Sequence, residues 1–485
     1  MSEINIPADS NERISQFHLL TSSQVEQIHL NAFRILEDVG VDMDSPKAVG
    51  ILRRGGAQTS GARVKLPRKM LEEVLRVTPK RVELYARNGS LQMVLDGRST
   101  FFGTYGTAPY TLDPYTGQRK LSTQETIGLA AKVCDYLPQV DWAMVLGVPS
   151  DCPSAIADRV GFRAAVTNLT KTIYSSAYTV EGMADLIEMC EVIAGGSEQL
   201  RTHPFFMTGI DPSSPLRYGD ETAGKMMLMA EKGLPIILNP MTQAAATGPA
   251  SLAGTLSLAL AEDLCGIALV QLVRPGSPMI VGGGISTMDM KSMVFGYGAP
   301  EMAMFSTAWV DLIHAFGLPV YGSGGASNSK TVDEQSAIEA SMSLMISALA
   351  KPDFSHALGT IDTGMTISME QLVLCDEAIA IARHVAKGFE VSPETLAYEV
   401  IARVGPGGNF LGEEHTLRHF RKHYRSKLLD RQRYEAWRDS GSQTMKQRLV
   451  EKVHDILKTH TPTPLPDGIL KGLDAIVNRA EQKFK

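Results

Sequence analysis

Residues 204–239 read PFFMTGIDPSSPLRYGDETAGKMMLMAEKGLPIILN, and this stretch decides the fold. Residues 204–210 form a short aromatic and β-branched run, which suits a buried strand. Residues 219–232 carry a helical pattern, and a second apolar run spans 234–239. Both runs start behind a proline (Pro204, Pro235), as a helix-to-strand turn allows. Strand, helix and strand in succession make a βαβ unit, and such units build a parallel sheet.

The same alternation extends in both directions. Strand-like runs occur at 99–104, 140–148, 171–177, 204–210, 234–239, 278–283, 318–323 and 354–360. Helical patterns follow at 122–137, 156–169, 180–194, 219–232, 250–273, 299–316, 332–350 and 369–388. Eight such units predict closure into a (β/α)8 TIM barrel of about 250 residues, here spanning 99–390. A doubly wound sheet is the alternative, but no GxGxxG follows the first strand. Residues 1–98 read as an N-terminal α/β arm. In it, a helix over 21–40 is capped by Thr21 or Ser22 and stopped by Gly40, a second helix covers 69–77, and a β unit lies near 81–95. Residues 391–485 read as a C-terminal helical extension, with helices over 393–403, 413–428, 430–438, 443–458 and 467–484.

Composition narrows the function. The 485 residues are 44% hydrophobic and 21% charged, which fits a globular protein and excludes wholesale disorder. A net charge of −6 argues against a nucleic-acid partner. Residues 413–485 hold 16 Lys and Arg against 10 Asp and Glu, a basic tail on an acidic body. Five scattered cysteines without a CxxC fit a reducing cytoplasm rather than a disulfide scaffold. The polar start, MSEINIPADSNERISQ, shows no leader peptide. Residues 250–273 come nearest to a membrane span, but Glu262, Asp263 and Arg274 interrupt or flank them, so they read as a buried helix and no membrane partner is expected.

In a barrel the site sits at the C-terminal strand ends. That rule selects Tyr105, Tyr178, Asp211, Asn239, Met241, His356 and their neighbours. One His, no Cys and single scattered carboxylates at these ends do not suggest a metal centre. His415, His419 and His423 are spaced along one helix face outside the barrel and read as a solvated basic stripe. Glycines 282–284 and 322, 324 and 325 follow adjacent strands. They could cradle a phosphate, make tight turns, or clear the mouth for a flat cofactor. Phe102, Tyr105, Tyr110, Tyr178, Phe205, Tyr297, Tyr321 and Phe354 lie at or near strand ends. As a set with few charged neighbours they favour a cationic or apolar small ligand. A Schiff-base aldolase would need a lysine at a strand end, where only Lys171 and Lys330 are near. A non-catalytic ligand-binding or scaffold subunit is the reading from another class.

Four stretches, LTSSQVEQIHLNAFRILEDVGV (20–41), LPRKMLEEVL (66–75), YGSGGASNSKTVDEQSA (321–337) and GPGGNFLGEEHTLRHFRKHYRSKLLDRQRYEAWRDSG (405–441), resemble the trimethylamine methyltransferase superfamily, in its branch without pyrrolysine. The resemblance implies a (β/α)8 barrel that passes a methyl group from a methylated amine to the Co(I) corrinoid (cobalamin) of a partner protein. Trimethylamine enzymes carry pyrrolysine in the loop after the seventh strand. Here that loop holds Lys330, Asp333 and Glu334, so a quaternary amine is expected: glycine betaine first, with carnitine, proline betaine and γ-butyrobetaine as alternatives. A quaternary nitrogen departs as a neutral tertiary amine, so neither a proton donor nor zinc is required, and positioning can carry the catalysis. The expected cage is Tyr105, Tyr178, Tyr321 and Phe354, with His356 on the substrate carboxylate. Asp211, Asn239 and Glu334 stand second, Tyr105 and Glu334 positioning the methyl. Gly282, Gly283, Gly284, Gly322, Gly324 and Gly325 are expected to admit the corrin, and a homo-oligomer is expected.

Overall fold

The computed structural model describes residues 16–483, so nearly all of the polar start read as leaderless lies outside the described residues. Eight strands form the barrel: β1 (Phe101–Thr104), β2 (Trp142–Met144), β3 (Thr172–Tyr174), β4 (Phe206–Ile210), β5 (Ile236–Leu238), β6 (Met279–Gly282), β7 (Val320–Ser323) and β8 (Phe354–Leu358). They pair in chain order and close, with Phe354 of β8 opposite Phe101 of β1 and every ladder parallel. The crossover helices are α1 (Gln124–Tyr136), α2 (Ala157–Val166), α3 (Val180–Ala194), α4 (Asp220–Lys232), α5 (Leu252–Val273), α6 (Pro300–His314), α7 (Glu334–Ala350) and α8 (Met369–Lys387). Local chemistry sets their ends. Thr123 and Asp333 cap α1 and α7 through their side chains, and left-handed Gly195 and Gly233 stop α3 and α4.

The N-terminal arm serves two purposes in the fold. Helices Ser22–Arg34, Pro46–Arg54 and Arg68–Val77 lie on α5. By length and composition α5 could cross a membrane, with mean hydropathy 1.8 over its most apolar window. In the fold 83% of that window is buried by protein, so the apolar run is a core helix, as its charged residues suggested. The hairpin Val82–Tyr85/Leu91–Leu95 plugs the N-terminal end of the barrel. Its Val82, Leu84, Met93 and Leu95 share one buried cluster with Trp142, Tyr174, Met207, Ile237, Ile280, Tyr321 and Phe354. Small residues make room for large ones across this interior: a Cβ on Gly103 would lie 2.0 Å from the Trp142 ring, and one on Gly209 would lie 1.5 Å from the Tyr174 hydroxyl.

At the opposite end the loops after β1 and β8 form a second small sheet. It joins Tyr110–Leu112, Arg119–Leu121, Thr360–Ile361 and Thr366–Ile367. The Arg119 guanidinium stands 3.5 Å over the Tyr110 ring and pairs with Asp362 at 3.0 Å, tying the two loops together.

Beyond α8 the chain runs out from the body and returns. Helices Met445–Thr459 and Asp467–Gln482 pack on α8, α1 and α3. The segment between them and the barrel is different, because no residue from 383 to 448 is buried. Its helices are correspondingly short, Glu414–His419 and Tyr434–Asp439, where periodicity alone predicts helices over 413–428 and 430–438. With no core face to lie on, the amphipathic pattern has nothing to stabilise it.

Trp142 fills the barrel interior, so Trp142→Ala is expected to cost about 3–5 kcal/mol. A lowered urea midpoint checks this.

Candidate functional site

The mouth of the barrel holds Asp211, whose charge is felt by four tyrosine phenols. Asp211, the first residue past β4, is exposed to solvent at the mouth, with the protein rising around it. Its charge bears on the hydroxyls of Tyr105 after β1, Tyr174 at the end of β3, Tyr297 in the loop after β6 and Tyr321 in β7. Burial holds the Asp211 carboxyl above the ordinary carboxylate range, opposed by the Asn239 amide and the Lys225 ammonium. Burial also pushes all four phenols upward, so they stay protonated and present neutral aromatic faces.

Asn239 holds the carboxylate in place. Its Nδ2 donates to Asp211 Oδ1 at 2.8 Å, and its Oδ1 accepts from the Gly284 N–H at 2.9 Å. The strand-six glycine loop is thereby linked to Asp211 through one buried amide. Tyr297 donates to the Tyr105 hydroxyl at 3.4 Å, with the rings edge to face at 5.8 Å. Gly364 packs against both rings, where a Cβ would lie 2.9 Å from the Tyr105 hydroxyl. Asn328 fastens the aromatic loop: its Nδ2 donates to Phe295 O and Thr363 Oγ1, both at 3.0 Å, and its Oδ1 accepts from Gly298 N. Ala357, buried beneath Tyr297, sits at φ +101° where the β8 ladder slips register. Such a backbone costs on the order of 1–3 kcal/mol.

Several expected roles are redirected. Phe354 lies at the floor, stacked on Trp142 at 4.7 Å, because it begins its strand rather than ending it. Tyr321 lies in the interior below the mouth, stacked on His356 at 4.5 Å, and reaches the site through the electrostatics of its phenol. Tyr178 is half exposed and, with Tyr174, Ser176 and Asp158, lines a cavity of about 50 Å³ beside the mouth. His356 is buried, and its Nδ1 lies 2.9 Å from the Gly322 carbonyl and 3.2 Å from Ser323 Oγ. Burial pushes its imidazole down to about 4, so the ring is neutral and carries no positive charge for a carboxylate. Glu334 is exposed at the start of α7 and does not join the tyrosines.

The glycines are also explained by the protein itself. A Cβ on Gly282, Gly283 or Gly284 would strike Tyr321 O at 1.8 Å, Pro240 O at 2.6 Å or Met241 Sδ at 2.5 Å. One on Gly322, Gly324 or Gly325 would meet Ser306, Ser347 or Leu358 within 2.8 Å. All six are buried, so close packing, not an open face for a corrin or a phosphate, requires glycine there. Lys171 donates to the carbonyls of Cys134, Leu137 and Val140 at the foot of its strand, and Lys330 is exposed, so neither serves as a Schiff-base lysine in the mouth.

Sequence reasoning passed over Tyr174 as a site residue and left Tyr297 among the aromatics. Tyr174 stands at a strand end in the run TIYSS, so the strand-end rule could have found it. Tyr297 arrives from a long loop after β6, and spacing alone cannot place such a loop.

The trimethylamine methyltransferase family model matches residues 5–485. A glycine betaine methyltransferase of Desulfitobacterium hafniense is 33% identical over 469 residues, covering 96% of this chain and 97% of that protein. The trimethylamine methyltransferase MttB of another strain of that species is 30% identical, covering 97% and 96%. The crystal structure of the Methanosarcina barkeri monomethylamine methyltransferase shares the fold, with a TM-score of 0.53 and 12% identity over 97% of this chain and 89% of that one.

The His356 ring gives a direct check on the site's polarity. Its folded-state value lies below the unfolded one, so the unfolded chain takes up a proton that the folded chain refuses. His356 therefore lowers stability as pH falls from about 6.5 toward about 4, and contributes nothing to the pH dependence above that window. Imidazole proton NMR is expected to show one histidine that stays neutral at pH 5.5.

Proposed function

The chain belongs to the trimethylamine methyltransferase family, and on that premise we propose that it moves a methyl group from a quaternary amine, glycine betaine foremost, to the Co(I) corrinoid of a partner protein, leaving dimethylglycine. The observation that carries this reading is Asp211 within the phenols of Tyr105, Tyr174, Tyr297 and Tyr321. A partly desolvated carboxylate and aromatic faces together suit a cation that offers no hydrogen bonds. A protonated secondary or tertiary amine would instead want acceptors directed at its N–H groups.

The chemistry asks for little more. The C–N bond breaks, its electron pair stays on nitrogen, and the methyl passes to the acceptor. The departing amine is neutral, so no proton has to be delivered. Departure also removes the positive charge that Asp211 holds, and product release follows from the lost attraction. For the substrate carboxylate we propose Lys225, half-buried in the second turn of α4, whose ammonium donates to the Ala177 carbonyl at 2.7 Å and acts on Asp211 through its charge. A carboxylate facing an ammonium and a trimethylammonium facing a carboxylate match a zwitterion end to end.

The acceptor must approach from the open face. The residues there fit a large, flat, largely apolar group. Tyr178 after β3, Met290, Met293 and Val294 after β6, and Met365 after β8 are all exposed on mouth loops. These side chains, and not the buried glycines, would meet the partner's corrin.

We further propose that a second copy of the chain covers the arm at 383–448. Phe389, Val391, Leu396, Tyr398, Ile401 and Leu411 are all exposed there, and clustered exposed apolar side chains mark interaction surfaces. Charge favours a second copy as the cover: residues 389–414 hold five acidic side chains against one basic, and residues 415–433 hold seven basic against one acidic. Two arms laid antiparallel would set unlike charges opposite one another. Light scattering is expected to give a multiple of 52.6 kDa. A monomeric mass contradicts this proposal.

Asp211→Asn is expected to lower kcat/KM for glycine betaine by about 2–5 kcal/mol, roughly 30- to 5,000-fold, measured as methyl transfer to cob(I)alamin. In the wild type, affinity should fall as acid protonates Asp211, and it should fall at higher pH than an ordinary carboxylate would allow. Lys225→Met should raise KM for glycine betaine far more than it lowers kcat. Activity undiminished by Asp211→Asn would refute the reading.

A further inference from the structure

We propose that Glu394, His415 and His419 form a binding site for a zinc-type divalent ion that staples the C-terminal arm. His415 and His419 stand four residues apart on helix Glu414–His419, so both imidazoles project from one face. Their rings stack at 4.2 Å with an interplanar angle of 26°. Glu394 belongs to a separate helix, Pro393–Leu396. Its Oε1 lies 3.4 Å from His419 Nε2, and its main-chain oxygen lies 3.3 Å from His415 Nε2. One ligand atom from each of the three residues falls within 4.8 Å of the others, the one such set among the described residues.

The donor set selects the ion. Two imidazole nitrogens and one carboxylate oxygen suit Zn²⁺, whereas Ca²⁺ and Mg²⁺ want oxygen alone. Tetrahedral Zn²⁺ with bonds near 2.0–2.1 Å brings its ligand atoms to about 3.4 Å from one another. Small side-chain rotations would close the present spacing to that value. Arg418 now occupies Glu394 Oε1 at 2.9 Å, but it also pairs with Glu414 at 3.1 Å and so keeps a partner when an ion takes Glu394.

The arm has a physical need for such a crosslink. Sixty-six consecutive residues, 383–448, contain no buried side chain, so burial within the chain does not offset the entropy of ordering them. Folded units without a core commonly rely on a metal or a disulfide, and metal binding then adds directly to folding free energy. The ion would join Glu394 to a helix twenty residues later and close the loop between them. The site lies outside the barrel and takes no part in methyl transfer, so this proposal stands or falls separately from the assigned reaction.

The test uses the full chain without a polyhistidine tag, stripped with EDTA and titrated with ZnSO₄ in a calorimeter. Saturable uptake of one Zn²⁺ per chain is expected in the wild type. His415→Ala and His419→Ala should abolish it, and Glu394→Gln should weaken it. Zn²⁺ should also slow tryptic cleavage at Arg418, Arg421 and Lys422 in the wild type alone. Absence of saturable uptake by the wild type overturns the proposal without recourse to variants. Uptake that survives both histidine substitutions, or cleavage indifferent to Zn²⁺, overturns it as well.

Discussion

A single carboxylate at the barrel mouth, Asp211, partly stripped of water by the protein around it, is the constraint around which the rest of the site is arranged. Burying a carboxylate without a partner is costly. Here Asp211 receives one amide hydrogen bond from Asn239 and the distant attraction of Lys225. Burial still leaves its charged form disfavoured. A cation at the mouth would lessen that penalty, which is the basis of the proposed recognition of a quaternary amine. The four phenols sharpen the preference, since they offer π faces without bringing ionised groups of their own.

The scaffold holds this arrangement stiffly. The floor hairpin and Trp142 fill the barrel from below, which fixes the level at which Tyr174 and Tyr321 stand. Asn239 ties Asp211 to the strand-six loop, and Asn328 ties that loop to the loops after β7 and β8. Buried polar groups with every partner satisfied hold a unique geometry. The shape of the rim is therefore set by hydrogen bonds within the protein.

How much of this was legible beforehand depended on the range of the interactions involved. The barrel was legible because each βαβ unit declares itself within about 30 residues. The runs at 204–210 and 234–239 became β4 and β5, as their aromatic and β-branched content required. Asp211 and Asn239 were legible as strand-end polar residues, and Tyr105 as a strand-end aromatic. What ordered them was not. Phe354 and Tyr321 looked equivalent to Tyr105, yet one faces the floor plug and the other the interior, because depth along a strand depends on where the ladder begins. Tyr297 depends on a loop clamped by Asn328 from the loop after the neighbouring strand, a contact across 33 residues. The glycines invited a ligand, but their neighbours are Tyr321 O and Pro240 O, which only tertiary structure brings close. The arm's short helices were over-extended for the same reason, since periodicity cannot report that no core lies beneath.

The account turns on charge recognition in the mouth, and one comparison isolates it. Glycine betaine and 3,3-dimethylbutanoate have nearly the same shape and differ by nitrogen for carbon, hence by one positive charge. Calorimetry with both ligands on the same protein measures the contribution of that charge alone. The account predicts that glycine betaine binds at least ten times more tightly, and that this advantage disappears when Asp211 is neutralised. Equal affinity of the two ligands for the unaltered protein would contradict it.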